Sequence, residues 1–261
     1  MARLFTGSSN QYVTIPNVPN LTTRATFGCW FRKSSIPPTD DSEYHTIFSK
    51  GRSNYNEYVN LAVDHGSRGG AEGLRVWFVQ NYNAHHIRIS ASGLVKVGRW
   101  YQLIACVDWT TNPDTVALYL DGVPLDLTLT DGSGNATPST SATQIVRLGH
   151  NTVAGAPTKY RFKGDLAETW LLSETVTPNE AFALGTGRMS PDMLRRAYTG
   201  LEFYLPLRGY GHDLWRGRDG TLTGCALSDH PPVDRVRDAQ RSYFLFGSAA
   251  GPETHFGRAI L

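Results

Sequence analysis

Cysteine is scarce: Cys29, Cys106 and Cys225 are odd in number, far apart, and form neither a CxxC pair nor a Cys/His zinc spacing. That excludes a disulfide framework and a structural zinc site as what holds the chain together. Cys29 and Cys106 fall in apolar, strand-like runs and read as buried free thiols of a protein made in a reducing compartment. Long hydrophobic runs are missing too: no segment approaches the roughly 18 apolar residues of a membrane-spanning helix. The opening MARLFTGSSN has no apolar run of about 7–15 residues, so it predicts no secretory leader. Neither sign of charge dominates, with 25 Lys and Arg against 23 Asp and Glu and a formal net charge of +2. The most basic stretch, RVRDAQR, is interrupted by Asp238, so nucleic acid is not an expected partner. There is no internal repeat of fixed period.

What is present is turn residues and alternation. The chain holds 26 Gly and 14 Pro, with 40% hydrophobic and 18% charged residues, the composition of a turn-rich globule. Period-2 patterns recur in QYVTI, ATFGCWF, HTIFSKG, YVNLAV, LRVWFVQ, HIRIS, WYQLIACVDW, TVALYLDGVPL, QIVRLG and FKGDLAETWLL. They predict about ten strands up to residue 172, the first beginning about ten residues after Met1. Asp121-Gly122 in LYLDGVPL predicts a type I′ hairpin, because both residues tolerate positive φ. Strands this numerous without interleaved helices predict an all-β fold, two antiparallel sheets packed as a sandwich.

Helix signals occur in two places. In SETVTPNEAFALG, Thr177 can cap, Pro178 fits the first helical position, Glu180 closes a capping box and Gly185 follows the end. In SPDMLRRAYTG, Ser190 and Pro191 repeat the start and Gly200 closes the helix. LEFYLPL returns to a strand pattern. The last stretch, from His230, shows little periodicity and reads as an extended arm.

Four stretches carry a family resemblance: FTGSSNQYVTIPNVPNLTTRATFGCWFRKSS, GRWYQLIACVDW, VALYLDGVPL and FKGDLAETWLLSETVTPNEAFAL. In this order over residues 5–184 the chain resembles the laminin-G-like, concanavalin A-like jelly-roll superfamily, which includes pentraxin-like and lectin-like sandwiches. A jelly roll over 1–229 and an arm over 230–261 are the expected organisation. LEFYLPLRGYGHDLWRGRDGTLTG resembles a segment that in these domains precedes the opening strands. Placed after them, residues 201–229 either complete the sandwich from the carboxyl side or begin an incomplete second module.

Enzyme chemistry is not expected. The paired acids of a retaining glycosidase must stand roughly 5 Å apart. The spacing E-x-D-x-x-E is absent, and Asp165 and Glu168, three apart on one strand, fall on opposite faces by alternation. There is no G-x-S-x-G, and the Gly-rich SRGGAEG and RGYG lack a strand–loop–helix setting. No cofactor is required; calcium is the ion that the resemblance brings into question. It would draw on Asp40, Asp41 and Asp108, with Glu43 and Asp131 as further carboxylates. Ligand recognition is expected from SNYNEYVN and QNYNAHH, through Tyr55, Asn56, Tyr58, Tyr82, Asn83 and His85. These residues combine flat apolar faces with hydrogen-bonding groups. Trp30, Trp77, Trp100, Trp109 and Trp170 read as packing residues, whereas Trp215 reads as a surface anchor.

The resemblance together with the absent leader implies a non-enzymatic virion structural protein of a tailed bacteriophage, made in the host cytoplasm and working by protein contact. Its expected partners are other virion proteins or further copies in a homo-oligomer. Trp215, Tyr243, Phe244, Phe246, Phe256 and Leu261 would make the contacts. The alternative is a lectin-like module for a host-surface glycan, with or without calcium.

Overall fold

Residues 2–7, 11–21, 23–35, 44–51, 58–64, 73–81, 84–91, 93–111, 114–132, 144–150, 160–208, 211–229 and 231 are described by the computed structural model. At 44, 58, 64, 77–81, 84–86, 89 and 129–132 this covers the backbone alone. Alternation becomes strand wherever one parity can be buried. The chain gives β1 (Ala2–Thr6), β2 (Tyr12–Ile15), β3 (Arg24–Lys33), β4 (Tyr44–Gly51), β5 (Tyr58–Asp64), β6 (Gly73–Asn81), β7 (Ala84–Ser90) and β8 (Trp100–Asp108). Then come β9 (Thr115–Leu120), β10 (Val123–Leu125), β11 (Leu127–Gly132), β12 (Val146–Leu148) and β13 (Lys163–Leu172). Helices α1 (Pro178–Gly185) and α2 (Pro191–Ala197) precede β14 (Leu201–Leu205), β15 (Thr221–Thr223) and β16 (Ala226–Ser228).

Sheet A runs β10-β9-β8-β3-β13-β1-β16, with β14 also paired to β13, and sheet B runs β11-β7-β6-β5-β4-β12-β2-β15. Their pairings are antiparallel. The all-β, two-sheet antiparallel sandwich with short helices is therefore the fold observed. Strands after the helices join both layers: β14 pairs β13 and β16 pairs β1 in sheet A, while β15 pairs β2 in sheet B.

One apolar core lies between the sheets, built from inward residues such as Phe5, Val13, Phe27, Phe31, Phe48, Leu61, Leu103 and Leu148. A second cluster lies on the outer face of sheet A, where Ile104, Tyr119, Trp170 and Tyr204 pack with Ala181 and Leu184 of α1 and Leu194 of α2. Sheet A is thus buried on both faces along part of its area. Lys50 ties the layers to their loops: its fully buried ammonium donates to the carbonyls of Val18 (2.9 Å) and Gln144 (3.0 Å).

Four expectations need correction. The first strand is Ala2–Thr6, not one beginning near residue 11, because Ala2 and Phe5 reach the interior while the strand pairs β13 on one side and β16 on the other. Thirteen strands, not about ten, precede α1 among the described residues: β1 and β11 fall outside the period-2 patterns, and one pattern covers both β9 and β10. The capping box of α1 forms as read, but Gly185 is its last residue rather than the one after, and Thr186 caps it. Gly200 does not close α2, which ends at Ala197 with Tyr198 already extended. Glycine is needed there for space, since a Cβ would meet Ser173 Oγ at 2.5 Å.

Candidate functional site

The outer face of sheet B is organised in rows. One register row, Leu222–Val13–Leu148–Phe48–Leu61–Val76, crosses six strands and points wholly into the core or against it. The row beside it, Thr221–Thr14–Arg147–Ser49–Asn60, is polar throughout and faces the other way. It crosses five strands, about 19 Å at roughly 4.8 Å per strand. Exposure falls along it: Thr221 is exposed, Thr14 and Arg147 are half-buried, and Ser49 and Asn60 are fully buried. Ser49 Oγ donates to the carbonyl of His150 (3.1 Å) and Asn60 Nδ2 donates to Thr46 Oγ1 (3.2 Å). Asn60 Oδ1 has no hydrogen-bond partner, an acceptor left unsatisfied in the middle of the face. Near the exposed end, the Arg147 guanidinium lies over the Tyr12 ring at 5.1 Å, and the His150 ring meets Tyr12 edge-on at 6.0 Å.

Sequence reasoning missed this row. Its only signal was a lone polar residue within each apolar strand, as in YVTI, VRL and YVNLAV, and any solvated strand face shows the same.

Two residues before Asn60 stands Tyr58, in the register row Gly51–Tyr58–Val79–His85. Segment 52–57, with Tyr55 and Asn56, joins β4 to β5 at that end of sheet B. The pair Tyr82-Asn83 joins β6 to β7 at the same end, where Asn81 opposes Ala84. The strand order therefore brings the attachment points of all six expected ligand residues to one end of three neighbouring hairpin strands and β4. Tyr55, Asn56, Tyr82 and Asn83 themselves lie outside the described residues, and Tyr58 and His85 are described by backbone.

Of the expected calcium ligands, only Asp108 is described with its side chain. Asp108 opposes Arg24 at the start of β3, and its Oδ2 accepts from Arg24 Nε (2.8 Å). Its Oδ1 accepts from the backbone N–H (2.8 Å) and hydroxyl (2.5 Å) of Thr110, and these bonds are the leading cause holding its carboxyl below the usual range. Asp40 and Asp41 lie outside the described residues, in a segment that leaves beyond Lys33, at the other end of β3. No ligation step is assigned to the set. Among the described residues no group of three His, Cys, Asp or Glu is placed to hold a metal.

Glu168 is committed to structure. It sits at φ 51° on a bulge of β13, at the point where β1 gives way to β14 as the neighbouring strand. The bulge reverses the alternation: Leu166 packs inward, while Trp170 and Leu172 pack on the outer cluster. The argument that set Asp165 and Glu168 on opposite faces therefore does not hold. Their partners decide the matter instead. Arg208 donates to Glu168 Oε1 through Nε and Nη2, both at 3.1 Å, and the Tyr204 hydroxyl donates to Oε2. Asp165 Oδ2 accepts from Arg32 Nε at 2.8 Å. The Glu168 side chain is wholly buried, so neither its exposure nor its free valence suits an acid catalyst.

Residues 6–181 match the family model described as the concanavalin A-like lectin/glucanases superfamily. The chain belongs to that superfamily. Solved structures of similar fold include a heptameric SAP-like pentraxin from Limulus polyphemus, at 16% identity, covering 71% of this chain and 82% of that one, with a TM-score of 0.52. A candidate carbohydrate-binding protein from Bacteroides ovatus is 18% identical, with 86% of this chain and 58% of that one covered and a TM-score of 0.53. The CBM40 of a Ruminococcus gnavus IT-sialidase is 11% identical, with coverage of 70% and 96% and a TM-score of 0.52. At these identities the likeness is one of fold. No curated protein sequence matches the chain.

Trp215 is exposed at 38%, with the Arg195 guanidinium over its ring at 5.8 Å. Tyr243, Phe244, Phe246, Phe256 and Leu261 lie outside the described residues. Among the described residues no helix is long and apolar enough to cross a membrane.

Proposed function

We propose that this protein is a non-catalytic, lectin-like binding module of its superfamily. Its glycan ligand docks at the end of sheet B where β4 is joined to β5 and β6 to β7, through Tyr55, Asn56, Tyr58, Tyr82, Asn83 and His85. The observation that supports the reading is the register Gly51–Tyr58–Val79–His85, which brings the strand ends flanking both Tyr/Asn-rich connections to one end of sheet B. Rings would cover sugar C–H faces, and amides, hydroxyls and the His85 imidazole would serve the sugar hydroxyls. The commitment of Glu168 to Arg208 and Tyr204 supports binding without turnover.

The test is a glycan array probed with the full chain and with Tyr58→Ala, Tyr82→Ala and His85→Ala, each read with and without EDTA. Loss of the bound glycan by about tenfold or more in at least two variants is expected, with no effect of EDTA. Binding that survives all three substitutions would move the site elsewhere, and abolition by EDTA would restore a calcium role.

A second reading, a virion structural protein working by protein contact, is favoured by one feature, the exposed Trp215 on a tightly braced loop. Sedimentation of the tagged chain with virus particles would support it; sedimentation apart from them would remove it.

A further inference from the structure

Between β14 and β15 the chain makes a ten-residue excursion, 211–220, closed at its neck where Gly220 N–H donates to the Gly211 carbonyl at 2.6 Å. Glycine is required at this neck: a Cβ on Gly211 would meet Gly220 O at 1.9 Å. Within the loop, buried Asp213 acts as an internal scaffold. Its carboxylate accepts the backbone N–H groups of Tyr204 (2.8 Å), Trp215 (3.0 Å), Arg216 (2.9 Å) and Arg218 (2.9 Å). Asp219 in turn accepts the N–H of Asp213 at 2.8 Å, and Arg218 binds the buried Glu202 carboxylate at 2.5 Å. Arg216 reaches the carbonyl of Thr199, beyond α2, at 2.6 Å.

This bracing holds no buried apolar side chain in place at the tip. It holds Leu214, exposed at 49%, and Trp215, exposed at 38%. Beside them stands the exposed Arg195, stacked on Trp215, whereas Arg216 is held by the Glu202 carboxylate at 3.6 Å and the Thr199 carbonyl; the exposed acid of the loop, Asp219, is engaged by His212 and by the Asp213 N–H. An exposed tryptophan normally loses rotamer and backbone freedom on association; here the backbone part is already fixed. Tryptophan and arginine are also the residues that most often anchor protein contacts.

We infer that the 211–220 loop and the end of α2 form a protein-docking surface, separate from the glycan-binding end of sheet B, that fits an acidic partner segment carrying apolar or aromatic side chains. Leu214 and Trp215 bury against those side chains, and Arg195 meets a carboxylate. An apolar pair with one cation stacked on it favours such a protein over a bare polyanion, which would have no use for Leu214.

The probe is a random copolymer of glutamate and tyrosine, titrated into the full chain, with heparin as the polyanion that lacks aromatic groups. The copolymer is expected to bind and to shift tryptophan emission. Trp215→Ala and Arg195→Glu should each weaken binding about tenfold, Trp215→Phe should retain most of it, and any heparin binding should be indifferent to Trp215→Ala. Because Trp215 is exposed, the thermal midpoint should stay within about 2 °C of the parent, which separates lost docking from lost fold. No copolymer binding up to about 100 µM, or unchanged binding by Trp215→Ala, overturns the inference. Equal loss of heparin and copolymer in Trp215→Ala also overturns it, in favour of a general anion site. Glycan binding at sheet B is unaffected in every case.

Discussion

His45 is the residue whose surroundings bear most directly on solution behaviour. It is 1% exposed, neither ring nitrogen has a hydrogen-bond partner, and burial, with the charges of Lys163 and Lys33 adding, pulls its pKa down to about 3. In the unfolded chain the same imidazole takes up a proton near pH 6.5. The unfolded state therefore binds more protons below pH 6.5, and the stability present above that pH is lost as pH falls toward 3. The loss is about 1.4 kcal/mol per pH unit. Between pH 7 and pH 4.5 urea denaturation of the parent should lose about 2–3 kcal/mol more than that of His45→Leu. Parallel pH profiles for the two proteins would show that the imidazole is solvated or paired. The histidine sits in HTIFSKG, where the sequence marks an apolar strand but gives no sign that two lysines from other strands close around it. Such encounters depend on which ends of which strands meet, information that period-2 patterns do not carry.

At the level of elements, what could be read was local. Asp121 and Gly122 adopt φ 53° and 80°, and Val123 pairs Leu120, as a type I′ hairpin requires. Thr177 and Glu180 cap each other across the first turn of α1, the bonds lying within four residues. What could not be read was long-range. The second helix start looked equivalent, yet the Ser190 hydroxyl bonds Asp192 Oδ1 instead of capping the backbone. The β13 bulge is hidden in GDLAETWLL because Trp170 finds an outer apolar cluster beneath two helices, so burial of both parities erases the alternation. That cluster makes a specific demand of β3. Gly28 pairs Trp170, and a Cβ on it would meet the indole at 2.1 Å. Trp170 is 1% exposed and has nowhere to withdraw. Gly28→Ala should cost about 1–3 kcal/mol by overpacking, read as a lowered urea midpoint at unchanged slope. An unchanged midpoint would mean that the indole does not lie on the strand.

For the whole molecule, the two sheets present outer faces of different character. Sheet A carries the helices on its outer side, where Trp170 and Tyr204 are buried, and Glu168 is locked beside them. Sheet B keeps the polar row and receives the Tyr/Asn-rich connections at one end. The family was legible in the sequence through motifs spread over residues 5–184, and the family model matches 6–181. The proposed ligand end rests on composition in the sequence; the order β4-β5-β6-β7 brings the strand ends that flank segments about 27 residues apart to one end of sheet B. The edge strand β15 and β2 supply the exposed end of the row from positions more than 200 residues apart, Thr14 and Thr221, which no local pattern connects.

The most direct test of a binding sandwich without turnover is hydrogen exchange of the full chain, followed by mass spectrometry, with and without a saturating array-selected glycan. Protection is predicted in peptides covering 49–60 and 79–86, with the glycan recovered at its original mass. Protection centred on 165–170 and 202–208, or recovery of shortened glycan, would contradict the account.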